Sequence, residues 1–183
     1  MADDYGNLAE GLLALHQATG ERHWLTQAGL LLDTALAHFA DGDGGFFDTA
    51  DDAETLVTRP RGRGDNAEPS GTSALAGALL TYSALTGRRR AEADVAIAAG
   101  GDIARRDPRF AGWGLAAAEA ALAGPVQVAV VGTGADSGLD DAASEMVRLA
   151  RMSPSPGLVL AYGPPEDGPD PHPLLADRPL VRG

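Results

Sequence analysis

Three carboxylates, Asp48, Asp65 and Glu68, fall in or beside a long connection that also carries Phe46 and Phe47. Sugars present C–H faces as well as hydroxyls, so aromatic rings beside carboxylates and amides are the residue types a carbohydrate site uses. Two acids at a suitable separation also perform glycosidic cleavage or proton transfer. The same residues fit a second reading, a solvated acidic loop that caps a helix starting near Ser70. Both readings stand at the level of sequence, because the separation of the carboxyls decides between them.

Other motifs carry less chemistry. GTGADSG, residues 132–138, lies between a strand-like and a helix-like run, where an anion can meet a helix N-terminus. It lacks the lysine and hydroxyl of a phosphate-binding loop and the G-x-G-x-x-G spacing, and Asp136 and Asp140 repel phosphate, so it reads as a plain βα turn. DGDGG, 41–45, opens like a calcium loop, but Phe46 stands at the sixth position and Asp52 at the twelfth, where glycine and glutamate are needed. It reads as an ordinary turn. His16, His23, His38 and His172 show no His-x-x-x-His or His-Glu-x-x-His spacing, so no metal site is expected. Arg63-Gly64-Asp65 spells an adhesion tripeptide and reads as chance in this context.

These residues need elements to hold them. Asp3 or Asp4 can cap a first helix, in which Leu8, Leu12 and Leu15 recur at helical period before Gly20 stops it. A second helix carries Trp24, Ala28, Leu31, Ala35 and Phe39 on one face, and the short link makes the pair an αα-hairpin. From DGDGG to Ser70 no helical period appears, and so long a connection in a compact domain is usually functional or locally structured. GFFDT and TLVT, separated by ADDAE, predict a small β-hairpin there. Leu75, Leu79 and Tyr82 line a third helix, flanked by Ala76 and Leu80, that ends at Gly87. After the solvated run Arg88–Arg90, a fourth is predicted from about Ala91 to Arg105, lined by Ala91, Val95 and Ala98. Asp107-Pro108 starts a fifth, striped by Phe110, Gly114, Ala117 and Ala121 with Trp113 on its flank. Its small residues predict close helix packing.

The pattern then changes. VQVAVVG, 126–132, and LVLAY, 158–162, read as buried strands. Between them Ser137 to Asp140 starts a helix striped by Leu139, Ala143, Met146 and Ala150. Strand, helix and strand imply a right-handed βαβ unit. The tail, rich in Pro, Asp and Gly, is expected to wrap over the surface without regular structure.

Composition limits the partners. The chain has 183 residues, enough for one domain or one large domain cut short. Hydrophobic residues make up 44% but aromatic ones only 5%, so the core must be mostly Ala, Leu and Val. A net charge of −12 repels phosphate backbones and anionic lipid, so neither nucleic acid nor a membrane surface is expected as a partner. The absence of cysteine excludes disulfides, thiolate catalysis and zinc–thiolate sites in this chain. Met1-Ala2-Asp3-Asp4 is polar and acidic, and no apolar run approaches a membrane span, which predicts a cytoplasmic domain. Every basic residue is Arg, a sign of high-GC coding that discounts Arg and Ala richness as functional signals.

GGFFDTADDAETLVTRP followed by GDNAEPSGTSALAGALL resembles the helical region of the thioredoxin-domain-containing family that includes spermatogenesis-associated proteins and their bacterial relatives. DDYGNLAEGLLALHQATGERHWL and VQVAVVG fit the same pattern, so the resemblance runs along nearly the whole chain and is most specific at 44–73. It implies a thioredoxin-like domain followed by a helical toroid, an (α/α)6 barrel similar to those of sugar epimerases and six-hairpin glycosidases, with a small α/β excursion near the C-terminus. The expected fold class is therefore mainly α: a partial α/α toroid over 1–124 with a hairpin-bearing loop at 41–70, a βαβ excursion over 125–163, and an irregular Pro-rich tail over 164–183. The chain departs from the family in lacking the thioredoxin-like domain and its redox cysteine, in holding only part of the helices of a closed toroid, and in stopping at PLLADRPLVRG. Thr72 also stands where the family has the Asn of PSGNS. The resemblance thus implies a C-terminal fragment without complete catalytic machinery, bound to the missing N-terminal part of a parent protein or to itself. The family's activity is unassigned, and kinship with sugar enzymes is analogy at the level of fold. For a sugar-like ligand it implies Asp65 and Glu68 as acid and base and Tyr5, Phe46, Asp48, Arg59, Asn66 and Ser70 as contacts, with no cofactor. A helical scaffold for another protein is the alternative.

Overall fold

The structure, a computed structural model, describes residues 1–54, 57–133, 139–166, 169 and 171–180. It is mainly helical, with a small parallel sheet of two strands. Helices α1 (Ala2–Thr19) and α2 (Arg22–His38) form the expected hairpin, turned by Gly20 at φ +75°. The central helix is α3 (Gly71–Thr86), which packs against α1, α2, α4 and α6. Its sequence is apolar around the whole circumference, and a helix of that kind is stable only when surrounded. Leu75, Leu79 and Leu85 are fully buried there, with Leu13 of α1 and Leu32 of α2 in the same core.

The faces that pack differ from the leucine stripes. On α1 the buried residues are Ala2, Gly6, Ala9, Leu13 and His16, whereas Leu8 and Leu15 are exposed. The reason is the closeness of α3. A Cβ on Gly6 would lie 2.6 Å from Ala74 Cβ, so the packed face is the one with the smallest side chains. Likewise α2 buries Leu25, Gly29 and Leu32 beside the expected Ala28, Ala35 and Phe39, while Trp24 and Leu31 are only half-buried.

The predicted fourth helix is two helices, α4 (Arg90–Ala99) and α5 (Gly101–Arg106), broken at Gly100. Ala93 and Ala96 are its buried residues, and Val95 is exposed. Asp107-Pro108 opens one turn of 3₁₀ helix, Pro108–Phe110, rather than the long helix, which is α6 (Gly112–Ala123). Only one side of α6 is covered, at Ala117 and Ala120, while Trp113, Leu115 and Leu122 are exposed.

The expected β-hairpin in the long connection is not formed among the described residues. GFFDT makes a single antiparallel bridge, Ala40 with Phe46, and Thr55 and Leu56 of TLVT lie outside the described residues. Phe46 is drawn into the core, and the Asp48 N–H donates to Pro60 instead of to a partner strand. DGDGG is the expected turn: Asp41 Oδ1 accepts from the N–H groups of Asp43 and Gly45.

Strands β1 (Gln127–Val131) and β2 (Val159–Gly163) pair in parallel with Ala129 opposite Ala161. Helix α7 (Asp141–Arg151) connects them, which gives the expected βαβ unit. Asp140 caps α7, accepting from Ala143 N–H at 2.9 Å; the predicted start at Ser137 lies outside the described residues. α7 buries Ala143 and Val147, not Met146. The tail does more than wrap the surface: His172, Leu174 and Leu175 are buried, the two leucines in the main core. No described helix is long and apolar enough to cross a membrane.

Candidate functional site

The connection from 41 to 70 is held by its own polar side chains. Asp65 is 2% exposed, and its carboxylate accepts from Ser70 N–H at 3.0 Å through Oδ1 and from Trp113 and Gly114 N–H at 2.9 and 3.3 Å through Oδ2. It therefore ties the start of α3 to the start of α6, where unpaired N–H groups and the helix dipoles favour a negative charge. Ser70 is the α3 N-cap and accepts from Ser73 N–H at 3.2 Å. Asp48 accepts from Gly62 N–H with both oxygens at 3.0 Å. Arg59 donates to His38 O at 3.0 Å and Thr49 O at 2.5 Å and lies over the Phe47 ring, 4.1 Å from its centroid.

The sequence-derived site is thus brought together only in part. Asp65 and Glu68 do not form a facing pair: Asp65 is buried under two helix ends, while Glu68 and Asn66 are exposed. Phe46 belongs to the core, and Tyr5 packs on Phe39 with ring centroids 5.1 Å apart. Asp48, Arg59 and Ser70 are engaged with backbone. The capping reading of the acidic loop describes what Asp65 does here.

A groove of about 370 Å³ lies elsewhere, along α1, α3 and α6. Gly77 and Thr81 of α3 form its floor, Asn7 and Glu10 of α1 one wall, and Trp113 and Ala116 of α6 the other. Glu10 opens onto the groove, yet protein surrounds its carboxyl closely enough that desolvation raises its pKa, against a smaller lowering by Thr81. That hydrogen bond, from Thr81 Oγ1 at 3.4 Å, is long, and no ion pair with Glu10 occurs among the described residues. A carboxyl, an amide and a hydroxyl facing an indole can take a ligand that is polar on its edge and apolar on its face. Sequence reasoning missed this set because the residues come from three helices, and a lone Glu on an apolar helix reads as solvated.

Among the described residues one group could hold a cation. His38 Nδ1, Asp51 and Asp52 bring three ligand atoms within 4.8 Å of one another. Here the Asp51 hydrogen bond, at 2.8 Å, raises the His38 pKa and lowers that of Asp51. The group is a surface hydrogen-bonded histidine–carboxylate pair in this structure, and exposed acids adopt such spacing without an ion. No protein-family model matches the chain, and no curated protein matches it.

Proposed function

We propose that the chain is the C-terminal part of a thioredoxin-domain-containing protein with a six-hairpin, glycosidase-like helical toroid. In this reading it supplies one wall of a site for a sugar-like ligand, without a complete catalytic centre. The observation that carries the reading is the state of the two outer helices of the α1–α3–α6 row. α6 is apolar on nearly every side yet buries one face, and α1 turns Leu8 and Leu15 outward. In a ring of hairpins these are the edges against which neighbouring hairpins pack. The layering agrees with this, since α2 packs on α1 and α3, and α4 on α3 and α6, as a second layer.

The ligand wall in this reading is the groove, with Trp113 under a sugar's C–H face and Asn7, Glu10 and Thr81 at its hydroxyls. A Trp24→Phe variant leaves Trp113 as the single indole. Titration with methyl hexopyranosides and disaccharides is expected to change its emission saturably, and Glu10→Ala to abolish the change. A flat titration with every sugar counts against the ligand.

The scaffold reading draws on a different observation, the engagement of Asp48 and Asp65 with backbone amides. Self-association that persists while every sugar titration stays flat favours the scaffold.

A further inference from the structure

His16 and His172 are 156 positions apart in sequence, yet their Nε2 atoms lie 3.0 Å apart. Their ring planes are 10° from parallel with centroids 5.1 Å apart, so the two rings meet edge to edge through these nitrogens. They are 2% and 1% exposed. Their other nitrogens fix the protons. Leu174 N–H donates to His172 Nδ1 at 3.1 Å, so that nitrogen is bare and Nε2 carries the hydrogen. His16 Nδ1 faces the Glu21 carbonyl at 3.1 Å, so it carries the hydrogen and His16 Nε2 accepts. The result is one directed chain, from Leu174 N–H through His172 and His16 to Glu21 C=O, with a single proton on each ring. A proton added to either ring sets two donors against each other or against the Leu174 N–H.

We propose that this contact is a proton-sensitive latch, closed while both rings are neutral, that holds segment 171–176 on the α1–α2 hairpin and releases it in acid. The charged groups around it are Arg22 at the start of α2 and Glu166 in the tail, 3.7 Å apart. Glu166 also accepts from His172 N–H at 2.5 Å. Desolvation is the first cause that lowers both histidines; for His172 the opposing His16 follows, and the value falls to about 4. Arg22 adds to the lowering and Glu166 opposes it. Because both values are lowered in the closed state, the released tail takes up protons first. Closure is complete above about pH 6.5 and weakens as the pH falls towards about 4. From His172 alone, the released fraction rises about 20-fold between pH 7 and pH 5.

The test is nuclear magnetic resonance on the whole chain. Imidazole nitrogen shifts at pH 7 are expected to show neutral His16 protonated on Nδ1 and neutral His172 protonated on Nε2. Exchange of the Leu174 amide, corrected for intrinsic rate and referred to Leu79 in α3, is expected to rise about 20-fold from pH 7 to pH 5. His172→Gln should flatten that rise and Glu166→Gln should leave it. Reversed tautomers, an imidazolium at pH 7, a flat wild-type profile, or a rise abolished by Glu166→Gln would each overturn the latch. Should His172→Gln fail to fold, the tautomers and the wild-type profile decide.

Discussion

At the scale of single residues, Asp65 is the side chain whose role changed most between sequence and structure. Its two oxygens receive three backbone N–H groups from the starts of two helices. Hydrogen bonds to a charged group are worth about 1.5–3 kcal/mol, and removing the partner leaves buried donors unpaired. Asp65→Ala is therefore expected to destabilise the fold by about 3 kcal/mol in denaturant unfolding. Glu68→Gln, at an exposed position, should stay within about 0.5 kcal/mol. Equal effects would remove the cap from the account. Glu10 carries the opposite sign. Its pKa is raised by desolvation, so its charged form is disfavoured in the fold and stability falls as the pH rises through that window. Glu10→Gln is expected to match or exceed wild-type stability at pH 7 in thermal unfolding; a clear loss would show that the carboxylate is structurally needed. Only half of one role could be read from residue type. Asp65 was legible as part of a cap beside Ser70, because Asp and Ser before a helix are capping residues, but the reach to α6 spans 48 positions.

At the scale of elements, most helices and both strands were legible from periodicity and from glycine and proline punctuation. The buried faces were less so. The expectation that leucines mark the core fails on α1, where Gly6 allows α3 to approach so closely that Ala74 fills the contact. Gly6→Val inserts branched bulk at that contact and is expected to cost at least about 1–3 kcal/mol, measured by unfolding. Tolerance of valine would mean that α1 and α3 are further apart. The connection was misread for a related reason. GFFDT alternates well enough for a strand, but Phe46 has a core to enter and Arg59 holds the loop by binding His38 and Thr49 carbonyls, contacts that no local pattern announces.

At the scale of the whole molecule, the arrangement is a row of helices with a covered centre and uncovered ends. α3 is surrounded, whereas Leu8 and Leu15 on α1 and Leu115 and Leu122 on α6 face outward. These outward leucines on the two end helices are the central support for the proposal that the chain is part of a larger ring. Light scattering coupled to size-exclusion, across a concentration series with a hydrophobic dye, tests that claim most directly. Concentration-dependent self-association and dye binding are expected in the wild type, both reduced in Leu8→Glu/Leu122→Glu with the melting temperature unchanged. A wild type that stays monomeric, binds no dye and melts cooperatively would contradict it.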